Sequence, residues 1–244
     1  MIHMYIAYFF LTFSLSIFFT FIVALTMRHF GVVDKVKRER RKIHKRTVPL
    51  GGGLAIFVST FFVIGFVLTV GGHFENDIVL RNLIGLFIGG LILMIGGFLD
   101  DKYNLRPRYQ ILFPVAASFA VIGFGIGPHL ITSPFGGTFD LAQWKIQIDG
   151  LGSWVVLADF LVFFWLMGMM FTTKFLDGLD GLVAGIVSIG AFVIFFLALQ
   201  NQWYQPDVAL LSIIFAGATL GFLIWNWHPA KIFLGEGGSL FAGF

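Results

Sequence analysis

Seven apolar runs, each near the length of a bilayer crossing, constrain this chain more than any other feature. They cover roughly residues 5–27, 51–72, 82–99, 109–127, 154–173, 182–200 and 208–225, and an eighth begins near 237. About 20 mostly apolar residues in an α-helix cross the ~30 Å hydrocarbon core. Lipid offers the backbone no water to bond, so such runs fold as helices. Charged residues make up 12% of the chain, about half the share of a soluble domain. The expected class is an all-α polytopic membrane protein, with about seven complete transmembrane helices, the start of an eighth, and one domain over 1–244. The first run has no basic flank before it and is too long for a signal-peptide core, so it reads as a retained helix. The 32 phenylalanines read as lipid-facing bulk.

The positions of the basic residues predict orientation. Arg28, Lys35, Lys37, Arg38, Arg40, Arg41, Lys42, Lys45 and Arg46 crowd the segment after the first run. Lys102, Arg106 and Arg108 follow on the same side, then Lys174 and Lys231, leaving only Arg81 and Lys145 on the other. The positive-inside rule then places the N-terminus outside and the basic segments in the cytoplasm; the expected location is the plasma (inner) membrane. Within the long outer segment 128–153, "WKIQID" alternates apolar and polar residues and "PFGG" supplies turn chemistry, so a small β-hairpin is expected there. Gly85 and Gly89 form a GxxxG inside a run, which predicts close helix packing. The absence of cysteine excludes disulfides, thiolate metal sites and a cysteine nucleophile.

Five acids gather at the inner ends of the runs, in "GGFLDDKYN", "KFLDGLDGL" and "FLGEGGS". Adjacent Asp100 and Asp101 point about 100° apart on a helix, so one can face inward and the other the loop; read alone, they also fit two solvated charges at a helix end. The i, i+3 spacing of Asp177 and Asp180 predicts one shared helical face, with Gly178 and Gly181 leaving room for a ligand to approach the backbone. Two carboxylates on one face repel unless a cation or donor sits between them. The glycine-rich entry around Glu236 suits an anion at a helix N-terminus. Such acids suit Mg²⁺, a hard cation often held by one or two carboxylates and substrate phosphates. Spacing alone thus leads to a membrane-embedded, cytoplasmic-face site for a phosphorylated substrate, and no further.

In this order "RKIHKRTVPLGGG", "GGFLDDKYNLRPRYQ", "KFLDGLDGLVAG" and "NWHPAKIFLGEGGSLFAG" resemble the polyprenyl-phosphate N-acetylhexosamine-1-phosphate transferases. The resemblance implies transfer of a sugar 1-phosphate from a UDP-sugar to undecaprenyl phosphate, with release of UMP. It implies Mg²⁺ as cofactor, with Mn²⁺ as the alternative, no nucleic-acid partner, and a homodimer by analogy only. Asp100 and Asp101 would lie near the lipid phosphate, one as base or orienting group. Asp177 and Asp180 would shape the nucleotide and diphosphate site, Asp177 also serving catalysis and the metal. Glu236 would take the position of the metal-binding acid. His44 and Asn226 would assist substrate binding, although His44 also fits a basic loop lying on anionic lipid.

Two departures stand out. The family has Asn at the position of Lys174 and Asp at that of Glu236. An amide oxygen can ligate a metal and a protonated lysine cannot. The expectation is that Lys174 contacts a substrate phosphate while the longer Glu236 reaches the metal. Family members continue through further spans and a His-rich segment, so the chain reads as incomplete at its C-terminus. The stretch before "PLGGG" resembles the N-acetylglucosamine 1-phosphate branch more than the phospho-N-acetylmuramoyl-pentapeptide transferases. A transporter would want a polar path through the midplane, and a scaffold has no use for five gathered acids.

Overall fold

The computed structural model describes residues 2–34, 47–70, 80–128, 130–132, 137–141, 145–148 and 152–244. The chain begins with α1 (Ile2–His29), then β1 (Val33–Asp34) paired antiparallel with β2 (Val48–Pro49), then α2 (Gly52–Val70). Next come α3 (Leu80–Tyr103), the one-turn α4 (Pro107–Gln110) and α5 (Leu112–Gly123). Two antiparallel strand pairs follow, β3 (Leu130–Thr132) with β4 (Thr138–Asp140) and β5 (Lys145–Ile148) with β6 (Gly152–Val155). The last helices are α6 (Val156–Leu176), α7 (Leu182–Ala198), α8 (Pro206–Asn226) and α9 (Gly235–Gly243).

Among the described residues five helices, α1, α2, α3, α6 and α8, are long and apolar enough to cross a membrane. The protein is a multi-pass membrane protein. The expected crossings near 109–127 and 182–200 are shorter helices. Pro107 starts a separate turn, and α5 has 12 residues, about 18 Å of helix. The 17 residues of α7 follow Gly181 rather than continuing α6. Hydropathy reports the apolar run and not where the helix breaks, which explains the difference in count. α5 nonetheless lies antiparallel to α3, because Phe113 packs at Gly96 and Phe124 at Gly85.

In lipid the apolar faces gain little by burial, so small residues and close packing hold the helices together. α1 shows this: its buried stripe is Tyr5, Thr12, Ser16, Thr20, Val23, Ala24 and Met27, and it packs on α8 and α2. Ser16 donates to the carbonyl of Ala218 at 2.6 Å, where Gly217 and Gly221 let the two backbones meet. Phe10, Phe18, Phe160, Phe164 and Phe196 are exposed, as lipid-facing bulk requires, whereas Phe57, Phe222 and Phe241 are buried. The expected GxxxG packing is present: a side chain at Gly85 would meet Phe124, and one at Gly89 would meet Phe244. In the segment 128–153, Lys145–Ile148 of "WKIQID" forms β5, and a second strand pair lies before it.

Candidate functional site

The site is assembled around α9, which packs among α2, α3, α6 and α7. Glycines allow this. Gly237 lies against Gly97 of α3 and Gly238 against Gly53 of α2, so closely that a β-carbon on Gly97 or Gly53 would overlap backbone. On the α6 side Thr173 donates its hydroxyl to the carbonyl of Ser239 at 2.7 Å. These contacts fix Glu236, in the first turn of α9, at the bundle end where α3, α6 and α8 finish.

Asp100 and Asp101 diverge as their spacing predicts. Asp100 turns to the loop, where its Oδ1 accepts from the backbone of Leu105 at 2.8 Å and the amide of Gln110 at 3.0 Å. Asp101 turns inward, and its two oxygens accept the backbone N–H of Glu236 at 3.2 and 3.3 Å. The anion at the N-terminus of α9 is therefore a carboxylate of the chain itself. A negative group there is favoured by the helix dipole and by the free N–H groups.

Lys174 leaves the last turn of α6 and forms an ion pair with Glu236. Both side chains are largely withdrawn from solvent, at 22% and 21% exposed. The Lys174 ammonium also reaches Oε1 of Gln110 at 3.4 Å. Gln110 thus links Asp100 to Lys174, a role that no spacing in the sequence announced. Asp177 follows as the C-cap of α6. The residue as a whole is exposed, yet loss of hydration around its carboxyl, and next the negative charge of Glu236, push its pKa up to about 7.

The shared helical face expected for Asp177 and Asp180 does not form. α6 ends at Leu176 and α7 begins at Leu182, with turns between them. Gly181 sits at φ 74°, a left-handed conformation that breaks the helical register and that glycine adopts readily. Asp177 consequently lies toward Glu236, while Asp180 turns to the loop after α8. There its Oδ2 meets Nδ1 of His228 at 2.9 Å and accepts from the backbone of Ala230 at 3.1 Å. The His228 side chain stays exposed while making this pairing. Asn226, buried at the end of α8, accepts from the Gly181 backbone and donates to the carbonyl of Ile232, both at 2.9 Å. It ties the start of α7 to the strand of chain leading into α9.

A groove of about 200 Å³ opens beside Lys174, lined otherwise by Pro107, Gln110, Ile111, Pro114, Phe171 and Leu240. Its wall is mainly apolar and its one charged lining residue is Lys174. His44 and the basic run 35–46 around it lie outside the described residues. Among the described residues no three of His, Asp and Glu converge to hold a metal ion. Glu236, expected as a metal ligand, faces the Lys174 ammonium. As arranged, these acids do not fit an open Mg²⁺ cage, which needs oxygen ligands at about 2.0–2.1 Å in near-octahedral array.

Residues 83–244 match the glycosyl transferase family 4 profile. The chain is 32% identical over 215 residues to a Bacillus subtilis protein assigned as an undecaprenyl-phosphate N-acetylglucosaminyl 1-phosphate transferase, covering 88% of this chain and 53% of that one. It is 27% identical over 211 residues to a decaprenyl-phosphate N-acetylglucosaminephosphotransferase of Mycolicibacterium smegmatis, covering 83% and 49%. Against a phospho-N-acetylmuramoyl-pentapeptide-transferase of Bacillus velezensis it is 31% identical over 238 residues, covering 95% and 69%. The chain spans about half the length of the first two relatives.

Proposed function

The chain belongs to glycosyl transferase family 4, and from that premise we propose that it transfers N-acetylglucosamine 1-phosphate from UDP-N-acetylglucosamine to undecaprenyl phosphate. The observation that carries this reading is the meeting of Asp101, Asp177, Glu236 and Lys174 at one bundle end, beside an apolar groove that Lys174 borders. The groove suits an isoprenoid chain, and the ammonium suits a phosphate at its head. A phosphate oxygen of the lipid bonds to the β-phosphorus of the nucleotide sugar. The bond from that phosphorus to the bridging oxygen breaks, and UMP leaves. Phosphoryl transfer of this kind depends on positioning and on neutralised charge more than on covalent help. Asp177, with its pKa near neutrality, can take up or release a proton at the working pH.

The clustering of Arg28, Lys102, Arg106, Arg108, Lys174 and Lys231 near this end supports placing it in the cytoplasm, at the plasma (inner) membrane, with the N-terminus outside. Because the chain lacks cysteine, single cysteines introduced at Arg108 and at Tyr204 report each side by labelling in intact cells. Labelling of Arg108→Cys by an impermeant reagent would reverse the topology.

The longer match to the pentapeptide transferase favours one second reading, with UDP-N-acetylmuramoyl-pentapeptide as donor. Release of UMP by the full gene product, with undecaprenyl phosphate and each donor in turn, decides between them. Preferential turnover of UDP-N-acetylglucosamine is expected, and loss of it in Asp101→Asn ties it to this site. Silence with both donors would sink the transferase reading.

A further inference from the structure

Among the described residues the carboxyl groups of Asp101, Asp177 and Glu236 act on one another at the bundle end, and the Lys174 ammonium meets them at Glu236. Asp101 holds the backbone of Glu236, and the charges of Glu236 and Asp177 both reach Asp101. Like charges gathered in this way repel unless a cation lies among them. Among the other described cations at this end, three are drawn to rings: Lys102 lies over Phe98 and Tyr103, Arg108 over Tyr109, and Lys231 over Trp225. Among the described residues Lys174 is the one whose ammonium is joined to the cluster, through Glu236 and through Gln110, which also bonds Asp100. The pairing does not depend on a loose loop. Lys174 follows Thr173, whose hydroxyl is bonded to α9, and Glu236 lies on α9 itself.

We propose that the Lys174 ammonium is the resident cation of this acid cluster, held by Glu236 where the family resemblance implies a divalent ion. The proposal rests on the family reading only for that implied ion; the ion pair stands without it. Lysine brings a single charge and three donors, with no requirement for six oxygen ligands. Its stem reaches from α6, and the extra methylene of Glu236 relative to aspartate gives the carboxylate the length to meet it. The two departures from the family are then one exchange made at two positions. A divalent ion entering this cluster would meet the ammonium as a like charge. The site therefore binds divalent metal poorly, and neutralisation of substrate phosphate falls to Lys174.

The test is Mn²⁺ binding to the full gene product in lipid nanodiscs, followed by the loss of the free-ion electron paramagnetic resonance signal. Wild type is expected to show no stoichiometric binding. Lys174→Met is expected to take up one Mn²⁺ per chain, at least about tenfold tighter, because the repelling charge is gone. Adding Glu236→Gln to that variant is expected to abolish the uptake. Should Lys174→Met not fold, the charge-altered pair Lys174→Asn with Glu236→Asp replaces it, with the same expected gain. Stoichiometric Mn²⁺ on wild type overturns the proposal whatever the variants do. This readout does not use turnover, so an inactive chain that rejects Mn²⁺ defeats the transferase reading and leaves the inference standing. UMP release that chelator abolishes, and Mg²⁺ restores, does the reverse.

Discussion

Both oxygens of Asp101 accept the backbone N–H of Glu236, at 3.2 and 3.3 Å, so the acid near the end of α3 also caps α9. A charged hydrogen bond is worth about 1.5–3 kcal/mol net. Asp101→Ala removes it and leaves the helix start uncapped, so a loss of about 1–3 kcal/mol in stability is expected. Asp101→Asn keeps an acceptor and should recover most of that loss while still losing turnover. Thermal unfolding of both variants in nanodiscs checks this; an unchanged midpoint in the alanine variant would remove the cap from the account.

Asn226 joins two elements with one side chain, accepting from Gly181 and donating to Ile232. Asn226→Ala leaves a donor and an acceptor unpaired in a buried place, expected to destabilise by roughly 2–4 kcal/mol. Asn226→Asp keeps the acceptor for Gly181 but turns a carboxylate oxygen toward the Ile232 carbonyl. Hydrogen exchange at Gly181 separates the two: it should rise in the alanine variant and stay slow in the aspartate one. Equal exchange in both would deny the clamp.

Asp177 lies just beyond α6, and its carboxyl titrates near 7, whereas an unfolded aspartate titrates near about 4. Between those values the native chain holds a proton that the unfolded chain has released. Stability therefore falls as pH rises from about 4 to about 7 and levels off above. The unfolding midpoint of wild type should fall across that window more steeply than that of Asp177→Asn. Glu236→Gln takes away the negative neighbour and should shift the wild-type descent to lower pH. Parallel pH curves for wild type and Asp177→Asn would count against a raised Asp177.

The glycines make opposite forecasts. A β-carbon at Gly97 would collide with the backbone of Gly237, whereas at Gly178 nothing lies within 4 Å. Overpacking of a tight contact destabilises by about 1–3 kcal/mol, so Gly97→Ala should lower the unfolding midpoint and displace Glu236, with activity lost. Gly178→Ala should unfold like wild type and raise KM for the nucleotide sugar if that ligand approaches the turn. A stable, active Gly97→Ala would show that α9 is not wedged by its glycines.

Much of this arrangement was legible in the residue order. Apolar length predicted the helices, and the 100° step between neighbours predicted that Asp100 and Asp101 part company. The gathering of acids at one end followed from counting charges on alternate segments. Helix breaks were harder to see, because Gly181 and Pro107 interrupt runs whose hydropathy is continuous. That is why Asp177 and Asp180 were expected on one face and lie in a turn. The pairs that complete the site join residues far apart in sequence: Lys174 with Glu236, Gln110 with Lys174, Asp180 with His228. Spacing along a chain carries no signal for such contacts; packing of α6 on α9, of α5 on α6 and of α7 on α8 brings them about.

The seam of glycines around α9 also makes the charges of the site depend on one late element of the chain. Asp100 and Asp101 enter the membrane more than a hundred residues before Glu236, and Lys174 enters between them. Until α9 is threaded between α2 and α3, Lys174 has no Glu236 to meet and Asp101 has no helix start to cap. Without α9 the acid of α3 and the ammonium of α6 stand unmatched. Packing of α9 is the step that closes the charge balance, since it brings Glu236 to Lys174 and its own first turn to Asp101.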